Sequence, residues 1–259
     1  MALGATTLTV TLPLKTRAVE QKTFGIDYLE GLGKPGALNA KIAFIPPSQI
    51  DPAYSHVVYV NAATGSPGGQ KMWVIERQGS GWQLALNDPD YWADKGTPSY
   101  SWPVSTGRRY PGEKRAGPTP LGIFNADDRN TRHRRGWGSP GMYNSIYIDL
   151  HYNSGRASGV AMHGTPRGKY RLLGKADSHG CIRMHQSNAD QVWSMFHADG
   201  RPGPSSPLWS EVPRYFKSRP TTGTRRGYVR DGSFLHTASG ERLTKPGYSV
   251  LFVFFRDDL

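Results

Sequence analysis

The sequence predicts a mainly β protein with a few short helices. Glycine and proline are frequent, with 31 glycines and 20 prolines among 259 residues, and both favour turns between short strands over long helices. From His56 onward, runs of β-branched and aromatic residues alternate with Gly, Pro and Ser turns. The hydrophobic share of 37% is enough to build a core. These observations exclude an all-helical bundle and argue against wholesale disorder.

Predicted strands occupy short apolar runs along most of the chain. Two candidates lie in the turn-rich residues 1–50, and the second of them ends at a Pro-Pro pair. The following candidates begin as a meander of strands separated by turns. In chain order, the predicted strands are residues 7–14, 41–45, 57–60, 72–77, 82–86, 102–105, 122–125, 145–150, 159–163 and 248–255.

The clearest helix is predicted at residues 188–196. Ser187 or Asn188 can cap its start, and its apolar residues fall on one face. A second short helix is predicted at about residues 208–217, although Pro213 interrupts it. The longest apolar stretch, residues 250–255, is much shorter than the roughly 20 residues that a membrane-spanning helix needs. No membrane span is therefore expected.

The chain has one cysteine, Cys181. An internal disulfide is therefore impossible, and the chain is neither a disulfide scaffold nor a Cys-cluster zinc module. The first residues lack the charged and continuously apolar regions of a signal peptide and alternate polar with apolar residues instead. No secretion signal is expected within this numbering.

The chain is strongly basic, with 32 Lys and Arg against 20 Asp and Glu and a net charge of +12. The basic residues cluster in predicted loops near the cysteine and its neighbouring histidines. Such charge favours a carboxylate-rich or otherwise anionic partner, or simply a well-solvated surface. No helix-turn-helix, zinc-finger or RNA-recognition signature is present, so nucleic acid is not expected as a partner.

Two short segments bring together the residue types that nucleophilic catalysis requires. Residues 160–166 include His163 at the end of a predicted strand, and residues 177–184 contain Cys181 directly after His179 and Gly180. A free thiol has a pKa of about 8.5, so a neighbouring base or cation must lower it for catalysis near neutral pH. Either histidine could be that base, and backbone N–H groups at the cysteine could form an oxyanion hole. The pattern indicates acyl transfer through a thioester.

Two other interpretations of these residues stay open. A lone cysteine is most often a small buried apolar residue, and a lone histidine at a strand end is most often structural. Zinc binding is a third possibility for His163, His179, Cys181 and His185, because imidazole and thiolate are zinc ligands. No carboxylate or second cysteine lies at a usual ligand spacing, so no metal is expected.

The same residues resemble the L,D-transpeptidases, bacterial enzymes that cross-link peptidoglycan through a cysteine and have a YkuD-type catalytic domain. The family motif is a His, a spacer, then Ser/Thr-His-Gly-Cys, an apolar residue and Asn or Arg. Here His163 is followed by residues 164–177 and then by Ser178-His179-Gly180-Cys181-Ile182-Arg183. Residues 104–107 and 119–124 are similar to two weaker signatures, a Ser-Thr-Gly strand end and a Thr-Pro-x-Gly-x-Phe turn.

The resemblance implies a catalytic domain built as a β-sandwich or mixed sheet with a few short helices, here residues 56–198. Residues 1–55 would then be a strand- and turn-rich N-terminal extension. Residues 199–259 would be a Pro-rich loop and a C-terminal extension that packs on the catalytic domain. The family has a mobile flap over its cleft, for which residues 108–115 and 129–145 are the two candidates.

The resemblance also implies a role for each site residue. Cys181 would be the nucleophile and His163 the general base, held in its tautomer by the carbonyl group of Gly164. His179 and Gly180 would line the oxyanion site with the Cys181 backbone N–H. Among the expected substrate-binding residues, Arg183 would anchor a substrate carboxylate or the local loop, and Ser178 would support the two histidines. The others are Gly164, Thr165, Tyr143 and Tyr147, and the two tyrosines would lie along the acyl-donor channel.

The implied activity is peptidoglycan transpeptidation without a metal or organic cofactor. Its partners would be a tetrapeptide donor stem and a diaminopimelate acceptor, with carbapenems as inhibitors. An L,D-carboxypeptidase or an enzyme that exchanges the terminal D-amino acid would use the same site. A non-enzymatic cell-wall- or polyanion-binding protein with a degenerate site is the alternative from another class. Because the substrate lies outside the cytoplasmic membrane, the mature protein is expected in the periplasm or cell envelope.

Overall fold

A computed structural model describes residues 24–87, 91, 99–113, 116–128, 142–196, 203–219 and 233–259. These residues form mostly strands with a few short helices, which confirms the predicted mainly β fold class. The predicted strand at 7–14 lies outside the described residues. No helix among the described residues is long and apolar enough to cross a bilayer.

The described residues contain the following elements, given in chain order within each type. The α-helices are α1 (Ile26–Leu32) and α2 (Gln186–Phe196), and short 3-10 helices occur at Pro47–Gln49, Arg167–Leu172 and Gly203–Ser205. The strands are β1 (His56–Asn61), β2 (Lys71–Gln78), β3 (Gly81–Leu84), β4 (Trp102–Pro103), β5 (Gly122–Asn125), β6 (Tyr143–Tyr147), β7 (His151–Tyr152), β8 (Ala161–Gly164), β9 (Ile182–Met184), β10 (Trp209–Pro213), β11 (Tyr215–Phe216), β12 (Ser218–Arg219), β13 (Ser233–Phe234), β14 (Thr244–Tyr248) and β15 (Val250–Phe255).

The largest sheet has the strand order β3-β2-β1-β15-β5, and β4 also pairs with β2. β1 and β15 run parallel, while the other neighbours in this sheet are antiparallel. Both parallel strands are apolar along almost their whole length because both faces of the sheet are covered. Val58 and Phe252 belong to the core cluster on one face, and Val57 and Leu251 to the cluster on the other. Thus residues 250–255 lie within the main sheet beside residues 56–61.

A smaller sheet with the order β6-β8-β9 carries His163 on β8, and Cys181 lies directly before β9. β6 and β8 are antiparallel, and β8 and β9 are parallel. One face contributes Ile146, Met162 and Ile182 to the first core cluster, which also contains the buried face of α2. On the opposite face, Tyr147 and Ala161 are packed with Cys181. The alternation of side chains along the strands therefore separates the core face from the cysteine face.

Helix α2 confirms the helix predicted at 188–196, although it begins at Gln186. Val192 and Phe196 are buried in the core, as the pattern predicts. Ser187 lies inside the helix rather than at its cap, and its Oγ is 2.6 Å from Nδ1 of His185. The expected cap is therefore wrong by two residues, although the buried face is right.

The helix predicted at about 208–217 is wrong, because these residues form β10 and β11. β10 pairs antiparallel with β14 over its whole length, and β11 pairs with β13. Pro213 cannot donate a backbone hydrogen bond and disfavours a helix interior, but a strand end tolerates it. Pairing with strands that follow later in the chain outweighs the local helical pattern.

The strand predicted at 41–45 is also wrong, since the structure has irregular backbone there. Phe44 and Ile45 pack against the second core cluster. The carbonyl oxygen of Ile45 accepts a hydrogen bond from the Tyr59 hydroxyl at 2.8 Å. The edges of β1 are already paired with β2 and β15, so this apolar run is buried by its side chains without joining that strand.

Candidate active site

Cys181 and His163 lie on neighbouring strands and on the same face of the smaller sheet. The parallel register pairs Met162 with Ile182 and His163 with Arg183. Cys181 immediately precedes β9 and is therefore level with Ala161, two residues from His163 along the strand direction. Strand spacing and rise give a Cα–Cα separation of roughly 8 Å for this arrangement. Cysteine and histidine side chains that leave the same face can meet across that separation.

The imidazole of His163 is held in one tautomer by the backbone. Its Nδ1 lies 2.9 Å from the carbonyl oxygen of Gly164. A carbonyl only accepts hydrogen bonds, so Nδ1 carries the proton and Nε2 keeps its lone pair. Burial, opposed by the Gly164 hydrogen bond and reinforced by the positive charge of Arg183, lowers the pKa of His163 to about 4. The ring is therefore a neutral base at neutral pH.

The thiol of Cys181 lies partly buried beside apolar side chains. Met142, Tyr147 and Ala161 form the small cluster against which it packs. Its Sγ is 3.7 Å from the carbonyl oxygen of Gly159, a distance at which a thiol is a weak donor. The residue as a whole is partly exposed.

The turn before the cysteine is fixed by Ser178. The buried hydroxyl of Ser178 donates to the carbonyl oxygen of Cys181 and accepts the Gly180 N–H at 3.0 Å. Gly180 has a φ of +133°, which L side chains rarely adopt. Because the Gly180 N–H is bonded to Ser178, this group does not point into an oxyanion site. Ser178 contacts the nucleophile turn rather than the two histidines it was expected to support.

The two weaker upstream signatures converge on the same turn. Gly107 ends the Ser-Thr-Gly segment, and its N–H donates to the Thr119 hydroxyl at 2.8 Å. That hydroxyl donates to the carbonyl oxygen of Gly180 at 3.0 Å. A Cβ on Gly107 would lie 2.6 Å from the Cα of Gly180, so only glycine fits this approach. The two upstream signatures and the turn before Cys181 thus form one structural unit.

Arg183 binds the loop that precedes the cysteine. Its Nη1 donates to the backbone carbonyl of Asp177 at 2.9 Å and to its carboxylate at 3.1 Å. The side chain is only 18% exposed. Of the two contacts expected for Arg183, the structure has the one with the local loop. The guanidinium also places a positive charge level with His163.

His179 occupies a more exposed position than the oxyanion role implies. Its side chain is 53% exposed and stacks on Tyr110, with ring centroids 4.4 Å apart and planes inclined by 11°. Its Nε2 lies 3.1 Å from Oε2 of Glu113. Sequence reasoning missed both contacts, because neither Tyr110 nor Glu113 belongs to a motif. Their position within the flap candidate at 108–115 was the one available signal.

The remaining expected residues have structural contacts around the same sheet. A Cβ on Gly164 would lie 3.1 Å from the Cα of Gln186, so this glycine allows α2 to approach β8. Thr165 is buried, and its N–H donates to Met184 in β9. Tyr143 pairs with Gly164 across β6 and β8, whereas Tyr147 is buried beside the cysteine. Thus only Tyr147 of the two tyrosines packs in the cluster around Cys181.

The other flap candidate is described only at its end, because residues 129–141 lie outside the described ranges.

The structure does not bring the four zinc candidates together. His179 contacts Glu113, while the ring centroids of His185 and Tyr170 are 4.0 Å apart. Among the described residues, no group of three His, Cys, Asp or Glu side chains is arranged to hold a metal ion.

The Cys181 turn, the base on β8 and the two upstream motifs lie within or close to one continuous stretch of sequence. Residues 85–203 match the family described as the L,D-transpeptidase catalytic domain, YkuD. This match confirms the family resemblance predicted from the sequence. A comparison with curated proteins gives no match. The individual residue roles stay predictions.

Several solved structures are similar to part of this chain. L,D-transpeptidase 3 from Mycobacterium tuberculosis is 18% identical, over 54% of this chain and 57% of that one, with a TM-score of 0.37. LdtMt1 in complex with imipenem is 18% identical over 54% of each chain, with a TM-score of 0.30. Bd1075 from Bdellovibrio bacteriovorus is 17% identical over 60% of this chain and 47% of that one, with a TM-score of 0.34. The match therefore spans about half the length of these proteins.

Proposed function

We propose that this chain is a peptidoglycan L,D-transpeptidase that works through a thioester on Cys181. The observation that carries the proposal is the placement of Cys181 and a neutral, backbone-held His163 on one face of adjacent strands. A base oriented by a fixed hydrogen-bond acceptor is the arrangement that activates a cysteine or serine nucleophile. Here the Gly164 carbonyl takes the place that a carboxylate has in the serine triad.

The first step would transfer the acyl group of a donor stem to the enzyme. His163 Nε2 takes the thiol proton, and the sulfur attacks the carbonyl carbon of the amide that precedes the terminal D-amino acid. The C–N bond breaks, and the leaving amine takes the proton from His163. The products are a thioester on Cys181 and a free D-amino acid, so atoms and charge balance.

In the second step the side-chain amine of a diaminopimelate on another stem attacks the thioester. A C–N bond forms, the C–S bond breaks, and the cysteine recovers its proton through His163. Water in place of the amine would give an L,D-carboxypeptidase, and a free D-amino acid would give exchange. These reactions differ only in the acceptor, which makes product analysis the way to separate them.

The surface next to the site suits an anionic peptide stem. The 3-10 helix Arg167–Leu172 connects the two halves of the motif, and Arg167, Lys169 and Arg171 are exposed on it. Stem peptides carry several carboxylates, and a positive field raises their local concentration. A substrate of this kind also implies that the mature protein works in the periplasm or cell envelope.

The test is a comparison of the unaltered protein with Cys181→Ala and His163→Gln on purified tetrapeptide muropeptides. Mass spectrometry should find cross-linked dimers and free D-amino acid with the unaltered protein only. The unaltered protein should also form a covalent adduct with a carbapenem, which Cys181→Ala lacks. Muropeptide turnover by Cys181→Ala would contradict the assignment of Cys181 as the nucleophile. If the unaltered protein gave tripeptides without dimers, its activity would be hydrolysis instead of transpeptidation.

A non-enzymatic wall-binding protein would behave differently in the same experiment. It would bind purified sacculi without converting muropeptides, and Cys181→Ala would bind equally well. Binding to sacculi without any turnover or adduct would therefore favour that alternative.

A further inference from the structure

The contacts of His179 with the loop 108–113 point to a function in the second step of the reaction. This loop begins on the turn before Cys181, and Gly117, which follows the loop in the chain, contacts the same turn. At one end, the N–H of Arg108 donates to the carbonyl oxygen of Ser178 at 2.9 Å. At the other, the N–H of Gly117 donates to the carbonyl oxygen of His179 at 3.3 Å. The loop and the cysteine turn thus form one unit at the edge of the site.

The ring of His179 is held by two partners of different kinds. Tyr110 stacks on its face, and the Tyr110 hydroxyl donates to the backbone carbonyl of Asp177. Arg108 covers the Tyr110 ring at 4.6 Å from its centroid. On its edge, Nε2 of His179 meets the Glu113 carboxylate at 3.1 Å. When the ring is neutral with its proton on Nε2, the nitrogen that faces the carboxylate, Nδ1 carries the lone pair.

An imidazole nitrogen that carries a lone pair can take a proton. His179 is a second such base, separate from His163 and much more exposed. Its side chain is 53% exposed and that of Glu113 51%, so an incoming group can reach both. Beside them, a cleft of about 480 Å³ is lined by residues 109–113 and Ala116.

The chemistry of the acceptor needs a base at such a place. An alkyl amine resembles a lysine side chain and is almost fully protonated near neutral pH, whereas only the free amine attacks a thioester. An exposed carboxylate attracts the ammonium group, and imidazole exchanges protons readily near neutral pH. His163 is buried, so it does not meet the solvated ammonium group before attack.

We propose that His179 is the acceptor-side base of this enzyme and that Glu113 and Tyr110 are its positioning residues. This inference rests on the proposed function. His179 Nδ1 takes one proton from the acceptor ammonium and passes it to solvent. The free amine attacks the thioester carbon, its second proton moves through His163 to the departing Cys181 sulfur, and an amide forms. The balance is one ammonium and one thioester giving one amide, one thiol and one proton.

The experiment compares two acceptors on the same acyl-enzyme. One is a diaminopimelate-containing stem, whose side-chain amine is protonated near neutral pH. The other is hydroxylamine, which is already a free base under these conditions. The variants are His179→Asn and Glu113→Gln, with His236→Asn and Glu241→Gln as controls at exposed positions in the hairpin near residues 236–242.

We expect His179→Asn to lower the rate of cross-linking with the stem acceptor by about 100-fold, the lower range for loss of a general base. Glu113→Gln should lower it by about 10-fold. In both variants, transfer to the stem acceptor should fall by at least about 3-fold more than release of the donor D-amino acid, carbapenem adduct formation or hydroxylamine transfer, because those steps need no acceptor-side base. The control variants should match the unaltered protein in every assay.

The outcomes separate this inference from the function on which it rests. An equal loss with both acceptors, or a parallel loss of acylation, would assign His179 to the oxyanion site or to loop structure instead. Unchanged transfer to the stem acceptor in both variants would overturn the inference alone. Failure of the unaltered protein to release D-amino acid or to form a carbapenem adduct would overturn the proposed function and this inference together.

Discussion

The buried imidazole of His163 should couple the stability of the fold to pH. Burial lowers its pKa from 6.5 to about 4, whereas in the unfolded chain the ring returns to an ordinary value of about 6.5. Between these two pH values the unfolded chain binds a proton that the folded chain does not. The free energy of unfolding therefore falls as the pH is lowered through this window. At 1.36 kcal/mol for each pKa unit, the full loss is about 3 kcal/mol.

Urea unfolding of the unaltered protein and of His163→Gln across pH 7 to 4 measures this effect. Glutamine keeps a polar side chain beside the Gly164 carbonyl but does not titrate. Other titrating groups are the same in both proteins, so they cancel when the two pH dependences are subtracted. We expect the unaltered protein to lose about 3 kcal/mol more than the variant over this window. Parallel curves for the two proteins would refute the assignment of a neutral, buried base.

Three further substitutions test the turn around the nucleophile. Gly107→Ala places a methyl group 2.4 Å from the carbonyl oxygen of Gly117. It should lower the free energy of unfolding by about 2 kcal/mol and abolish most acylation by a carbapenem. Ser178→Ala removes the acceptor of the buried Gly180 N–H and should cost about 1–3 kcal/mol in urea unfolding. Arg183→Met removes two hydrogen bonds to Asp177 and should slow formation of the carbapenem adduct by about 10-fold. Arg183→Lys should have an intermediate rate. Mass spectrometry over time measures both rates.

Matched changes show whether these effects come from the stated contacts. Gly117→Ala adds the same methyl group at a position with no neighbour within 4 Å, so it should be close to neutral. If Gly107→Ala and Gly117→Ala behaved alike, the close approach to Gly180 would not be the cause. A Ser178→Ala variant as stable as the unaltered protein would argue that the turn does not depend on this hydroxyl. Equal rates for Arg183→Met and Arg183→Lys would exclude the loop contact as the origin.

Residues close together in sequence made the catalytic turn predictable. The relation between His163 and Cys181 follows from a contiguous motif, and the carbonyl of Gly164 is adjacent to the histidine it binds. Strands with continuous apolar runs were equally clear, because burial on both faces leaves a pattern independent of the partner strand. The strand predicted at 248–255 is of this kind, and its residues 250–255 form β15.

The contacts that sequence reasoning missed are tertiary and involve residues outside any motif. Glu113 and His179 are 66 positions apart, and nothing in either neighbourhood indicates that they meet. The helix wrongly predicted near 208–217 failed for a related reason. Val212 and Tyr215 have a spacing compatible with a helix face, but β10 and β11 are held by later strands that no local pattern reveals.

The parallel pairing of β1 with β15 constrains how this protein can assemble during synthesis. Its partners, such as His56 and Val250, are about 190 residues apart, a separation that makes their contact slow to form. Until residues 250–255 have left the ribosome, β1 and β5 each present an open, apolar edge that should pair with β15. Such edges promote association between chains. A nascent chain stalled before Val250 should therefore be a good chaperone substrate and a poor folding unit, even though it already contains every residue of the proposed active site.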